Sequence, residues 1–305
     1  MDAIVEQADP AAVITGWRER PAIAPACDAN ALTVDVEDYF QVEAFFGVID
    51  RSSWDERECR IEGNVDRVLE LFAQARARAT FFTLGWIAER YPQVVRRIVE
   101  AGHELASHGS EHRRADAQSR VEFRSDVARA RRVLEDIGGC PVKGYRAPSF
   151  SVMRGNLWTL EVLEEAGYRY SSSTYPIAHD NYGIPEAPRF AFRPLAGSDF
   201  LEIPVTSVRW FGRNWPCGGG GYFRLLPFLL SRRALEAVRG RDRQPCIFYF
   251  HPWEIDPGQP RIEEAPLKSR LRHYTNLDCM EAKLARLLKA FRWNRMDEIF
   301  LGDAG

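Results

Sequence analysis

The stretch ALTVDVEDYF, residues 31–40, sets three carboxylates, Asp35, Glu37 and Asp38, among the strand-forming residues Leu32, Thr33, Val34 and Val36. An ionised carboxylate is costly to bury without a partner. This first strand therefore meets something that holds its charge. Alternate residues of a strand share a face, which puts Asp35 and Glu37 on the same side. Asp38 has a second reading, as the N-cap of helical text at residues 39–46.

Further strand text follows at 79–84 (ATFFTL), 103–108 (HELASH), 142–150 (VKGYRAPSF), 168–173, 200–206 and 246–251. Helical text lies between. Val65, Val68, Leu69 and Phe72 form an apolar stripe, and PQVVRRIVEAG, 117–137, 156–168 and 226–239 read the same way. Strands alternating with helices imply a mainly parallel sheet with helical cover. The spacing suits a (β/α) barrel or an open doubly wound sheet, and periodicity does not choose between them. In both, the site gathers at the strand C-termini, and Asp35, His108, Arg146 and His251 fall near such ends. Residues 1–29, rich in Ala, Pro and charge, are expected to form an N-terminal arm. Residues 30–255 form the main domain and 256–305 a C-terminal helical extension with a helix near 277–291.

The chain has 305 residues, 45% hydrophobic and 28% charged, as in soluble globular proteins. Its net charge of −2 gives no global basic field for nucleic acid. The arginines at 113, 114, 129, 131 and 132 read as a solvated helix face. The opening MDAIVEQADPAAVITGW has acids where a signal peptide needs a basic start. No run approaches the ~18 apolar residues of a membrane span, and a cytoplasmic location is expected. Six scattered cysteines include no CxxC pair, so free thiols are expected rather than a thiolate zinc site.

In SHGSEH, residues 107–112, His108 and His112 stand four apart. On a helical turn both imidazoles reach one metal. One DVED carboxylate could complete a His-His-carboxylate site, and another could act as general base. Arg146, at the end of a strand, can pair with a carboxylate and orient it, or make an ordinary surface salt bridge. The run IFYFHPWEID, 247–256, delivers His251 beside Trp253 as a candidate general acid or a packed core histidine. Glu254, Glu202 and Asp199 could each orient it. RWFGRNWPCGGGGYFR, 209–224, crowds aromatics around four glycines. These rings suit stacking on sugars or packing in the core, and Tyr222 and Arg224 are substrate-binding candidates with Trp253. No Lys-Ser/Thr follows, so a phosphate loop is unsupported.

The order D-x-E-D, H-x-x-x-H, R-x-P-S and a late strand ending in H-P spans residues 31–254 and resembles the NodB-homology polysaccharide deacetylases, carbohydrate esterase family four. TVDVEDYFQVEAF and HYTNLDCMEAKLARLL resemble more narrowly the deacetylases encoded with exosortase (PEP-CTERM) exopolysaccharide loci. The resemblance implies a distorted (β/α) barrel of about seven strands. It also implies one divalent metal, zinc before cobalt, nickel or manganese, and removal of N-acetyl groups from an amino-sugar glycan. By residue match, Asp35 is the base, Arg146 its partner, and His251 the proton donor to the leaving group. His108 and His112 are metal ligands with Glu37, or with Asp38 as the alternative. The backbone near Ser149 falls at the family's oxyanion donor. The common pattern of two adjacent aspartates is broken here by Val36. Two other readings stay open: an allantoinase-like amidohydrolase acting on a small amide, and a glycan-binding protein without chemistry.

Overall fold

The structure, a computed structural model, describes residues 13–14, 16–17 and 20–302. Residues 1–12, 15, 18 and 19 of the expected arm lie outside these. The described part of the arm is fastened to the body. Trp17 is buried and donates its indole N–H to the Pro194 carbonyl, and Ile23 and Ala26 donate backbone N–H groups to Ala191 and Ile299.

Strand β1 (Asn30–Val36) is the hub. It pairs in parallel with β2 (Thr80–Thr83) on one side and with β9 (Ile247–Phe250) on the other. From β2 the parallel sheet continues through β3 (Glu104–Ser107), β4 (Gly144–Tyr145), β5 (Tyr170–Ser171) and β6 (Leu201–Glu202). These seven strands curl into the distorted barrel expected from the sequence. Alternation along each strand separates two cores. Leu32, Val34 and Val36, with Phe81, Phe248 and Phe250, face the outer helical layer. Ala31, Phe82, Ala106, Tyr170 and Ile247 line the bore. Asp35 follows Ala31 and Thr33 on the inward register, which is why its carboxylate is at the barrel mouth rather than under a helix.

The helices bury one stripe each, at the spacing that 3.6 residues per turn demands. Helix α1 (Ile61–Ala75) buries Ile61, Val65, Val68 and Phe72. Helices α2 (Gly85–Arg90) and α3 (Pro92–Glu100) follow β2. Helix α4 (Arg120–Gly138) buries Phe123, Val127, Ala130 and Leu134; the Ser119–Glu122 capping box starts it and left-handed Gly139 ends it. Helix α5 is Trp158–Glu165. No helix among the described residues is long and apolar enough to cross a membrane.

Three elements depart from the sequence reading. The aromatic stretch at 207–216 is an antiparallel hairpin of β7 (Ser207–Trp210) and β8 (Arg213–Pro216), followed by α6 (Gly220–Leu225) and α7 (Phe228–Ala237). The segment after 256 holds an extra helix, α8 (Leu267–Tyr274), before α9 (Leu277–Ala290). It also returns to the sheet: β10 (Trp293–Asn294) pairs with Asn30 and Ala31, and α10 (Met296–Phe300) closes the barrel floor. Two-residue strands carry too little periodicity to stand out in sequence.

The gap between β6 and β9 is sealed by the glycine run. Gly218 accepts the Tyr249 N–H at 2.8 Å, and Thr206 Oγ1 accepts the Ile247 N–H at 2.6 Å. A Cβ on Gly218 would overlap the Ile247 carbonyl, and one on Gly220 would overlap the Glu254 carboxylate. The glycines are needed for close packing on β9, not for mobility.

Candidate active site

Four strand ends supply the site. Arg146, one residue past β4, is fully buried, and its guanidinium is used on all sides. Nη1 donates to Asp35 Oδ1 at 2.6 Å and to Thr33 Oγ1 at 2.8 Å; Nε and Nη2 donate to the carbonyl and hydroxyl of Ser172 at 3.1 and 3.0 Å. The ring of Phe82 lies 4.1 Å beneath its charge. The surface salt-bridge reading is excluded: this is a buried, oriented Asp–Arg pair. Losing one partner of such a pair typically costs ~3–5 kcal/mol. The serine that holds Arg146 was invisible in sequence because it lies 26 residues away, just past the next strand.

His108 follows β3 and hydrogen-bonds through Nδ1 to the Arg146 carbonyl at 2.9 Å, which leaves Nε2 to the bore. The expected helical turn at SHGSEH is not formed. The segment is a bend in which Gly109 and His112 take positive φ (78° and 54°), and Asp126 of α4 pins it by accepting the Ser110 N–H at 3.2 Å. The two imidazoles still converge, with ring centroids 5.3 Å apart. Glu37 meets them just past β1. Its Oε2 lies 2.6 Å from His112 Nε2, yet that buried oxygen has no hydrogen-bond partner, and neither has His112 Nδ1. Burial lowers the His108 imidazole to about 3, with His112 adding to the shift, so it is a neutral lone-pair donor. Burial would raise the Glu37 carboxyl, but His112, His251 and His108 together hold it below its usual value.

Asp38 does not join this group. Its carboxylate accepts the Tyr39 N–H at 2.8 Å and the Arg60 N–H at 2.5 Å, capping the short 3₁₀ turn Tyr39–Gln41. The alternative that made it a metal ligand is therefore corrected: both oxygens already serve backbone donors at a chain turn. Burial raises its carboxyl to about 6.

On the far side of Glu37, His251 Nε2 lies 3.2 Å from Glu37 Oε1, and Nδ1 lies 2.9 Å from Glu254 Oε1. Glu254 is thus the residue beside His251. Glu202 instead accepts from Ser173, Thr174 and the Thr174 hydroxyl, and Asp199 pairs with Arg193 at the surface. Burial pushes the His251 imidazole down, but Glu37, Glu254 and Asp35 more than offset it and raise it to about 9. Arg224 donates to Glu254 at 2.7 Å and to the carbonyls of Arg272, His273 and Thr275. Its expected role on substrate is corrected, because a buried guanidinium with these partners is spent within the protein. Trp253 is similarly interior. It stacks on His251 (centroids 5.2 Å, 17°) and on His273 (4.0 Å, 15°) and forms a shelf under the imidazole rather than an open platform. Tyr222 is half-buried. Ser149 is partly exposed on the turn Pro148–Phe150 next to Arg146, at φ 55°.

Among the described residues, Glu37, His108 and His112 form the one group whose ligand atoms all lie within 4.8 Å of one another. A neutral imidazole aimed inward, an orphaned carboxylate oxygen and a second imidazole are the donor set of a facial site for a borderline divalent cation. The residues fit the group. Residues 52–171 match the polysaccharide deacetylase family, and 172–301 match a domain of unknown function, DUF3473.

The join between the two matched segments falls between Ser171 and Ser172. The deacetylase segment brings His108, His112 and Arg146, while the second brings Ser172, Arg224, His251 and Glu254. Curated relatives agree. A peptidoglycan-N-acetylglucosamine deacetylase of Bacillus cereus is 29% identical over 31% of this chain and 35% of its own. A chitooligosaccharide deacetylase of Sinorhizobium fredii is 35% identical over 32% of this chain and 42% of its own. The chain thus spans well under half the length of these relatives. Two solved structures share the fold. A Mycobacterium smegmatis protein solved as a candidate polysaccharide deacetylase has a TM-score of 0.55 at 19% identity, covering 88% of this chain and 89% of that one. The Bc1960 peptidoglycan N-acetylglucosamine deacetylase has a TM-score of 0.52 at 17% identity, covering 95% and 97%.

Proposed function

We propose that the protein is a metal-dependent hydrolase that removes acetyl groups from N-acetylated amino sugars of a glycan, in exopolysaccharide biosynthesis. One observation carries the reading: the Glu37–His108–His112 group lies between a carboxylate held by Arg146 and an imidazole held by Glu254. Those three side chains would hold a divalent cation, zinc by preference, which would supply Lewis-acid polarisation of the acetyl carbonyl and acidify the attacking water.

The remaining work falls to the chain's own groups. Asp35 takes the proton from the water as it attacks, and Arg146 holds that carboxylate aimed. His251, raised to about 9, carries a proton at neutral pH. From Nε2 it delivers that proton to the departing amine, which is otherwise a poor leaving group. Glu254 at Nδ1 sets the ring's orientation, and Arg224 holds Glu254 in turn. The oxyanion donor we assign is the Ser149 backbone N–H, since those of Ala147, Phe150 and Ser151 are donated within the turn and to Ser173.

Acetate release from a panel of N-acetylated glycans, measured after chelation and after metal is restored, tests the proposal. Metal-restored release from N-acetylhexosamine oligomers is the expected result. Turnover of ureides alone would replace it with the small-amide reading, and binding of glycans without acetate release would replace it with a non-catalytic one.

A further inference from the structure

The hairpin of β7 and β8 is left unused by the site. Its two-residue turn places Phe211 and Gly212 at positive φ, 52° and 75°. Turns of this geometry favour Asn, Asp and Gly, because a side chain at positive φ is strained. Here the sequence has phenylalanine, and that ring is 98% exposed. One position thus bears both a strained backbone and a bare aromatic ring.

The apolar surface continues inward from this tip. Trp215, Leu225, Leu229 and Leu230 are also substantially exposed. Behind them a cleft of about 430 Å³ runs between the hairpin and α7, walled by Val208, Trp210, Phe223, Leu226 and Ala234 among others. Arg209 and Arg213 flank the tip, and neither is ion-paired among the described residues. Of the eight arginines in 207–243, Arg224, Arg232, Arg239 and Arg241 are paired with carboxylates, so the positive charge at the tip is that of Arg209 and Arg213. A projecting aromatic tip with a basic rim matches the chemistry of an anionic bilayer surface: aromatic and aliphatic groups enter the headgroup boundary while arginines meet lipid phosphates. A protein partner would need a pocket for one ring and carboxylates placed for Arg209 and Arg213. A bilayer offers both everywhere.

We infer that the 207–216 hairpin and the neighbouring face of α7 dock the protein on anionic lipid bilayers. The inference is independent of the proposed chemistry, since its readout is partition rather than turnover.

Sedimentation of the full chain with phosphatidylcholine vesicles, with and without phosphatidylglycerol, tests it. The wild type is expected to pellet with the phosphatidylglycerol vesicles and to be released by salt. Phe211→Asn suits the turn better, so melting should be unchanged or raised while partition falls about tenfold. Arg209→Gln combined with Arg213→Gln should weaken partition and flatten its salt dependence. Equal partition of wild type and Phe211→Asn would overturn the inference, as would no binding to phosphatidylglycerol. So would loss of a dimer on Phe211→Asn in sedimentation velocity without any lipid binding, which would make the face a contact between copies. Retention on a soluble anionic polysaccharide that is insensitive to Phe211 would instead make it a glycan groove.

Discussion

The barrel buries carboxylates at both ends, and the two ends treat them differently. At the floor, Glu104 and Asp297 are saturated. Glu104 accepts from Thr80 Oγ1 (2.5 Å), the Asp297 N–H (3.1 Å) and the Tyr170 hydroxyl (2.9 Å). Asp297 accepts from Lys143, Arg295 and the Glu298 N–H. At the mouth, Asp35 is held by Arg146, but Glu37 Oε2 and His112 Nδ1 have no hydrogen-bond partner. Buried polar groups are nearly always paired, so an orphan marks a place where something else belongs. Burial and charge are common to both ends. What sets the mouth apart is the convergence of Glu37, His108 and His112, whose ligand atoms lie within 4.8 Å of one another.

That contrast can be broken most sharply at Asp35. Asp35→Asn should lower kcat by ~10²–10⁴, the usual share of a general base, while melting temperature and metal content by elemental analysis report that fold and ligands persist. Unchanged turnover would remove Asp35 as the base. Next is Glu37→Gln. Metal affinity, read by competition with a chromogenic chelator, should fall by more than the ~10–100-fold that an outer-shell partner costs, and full occupancy would refute the ligand set. The floor predicts an effect on stability alone. Burial, with Asp297 adding to it, raises the Glu104 carboxyl to about 8. A raised carboxyl contributes stability that is complete below the ordinary Glu range and is lost as pH climbs through the folded value. Urea unfolding should therefore show wild-type stability weakening between pH 4.5 and 8 relative to Glu104→Gln. Parallel curves for the two proteins would contradict it. The smallest effect is expected at Asp38. Asp38→Asn should retain metal and cost about 1 kcal/mol or less, since asparagine also caps. Loss of metal there would return Asp38 to the ligand set.

The residues that carry charge to the mouth were legible from the chain alone. Asp35, His108, Arg146 and His251 each end or directly follow a run of apolar strand residues, and strand alternation separates Asp35 from the helical layer without any coordinate. Spacing misled where the backbone leaves regular geometry. His108 and His112 converge through a left-handed bend, not the helical turn that a separation of four suggests. Asp38 and Glu37 are adjacent in sequence, and only the 3₁₀ turn beginning at Tyr39 sends one to backbone donors and the other to the histidines. The partners that hold the charged groups were only partly within reach. Glu254 was one of three candidates beside His251 and lies three residues on, whereas Ser172 for Arg146 and Arg224 for Glu254 come from segments distant in sequence.

Local pattern thus determined the alternation of strands and helices and the chemistry available at the strand ends, because hydrophobic period and residue type are properties of the chain itself. Tertiary structure decided the barrel over the open sheet, the return of residues 293–294 to β1, and the choice of Glu37 over Asp38. Those outcomes depend on contacts between residues far apart in sequence, and no local period encodes them.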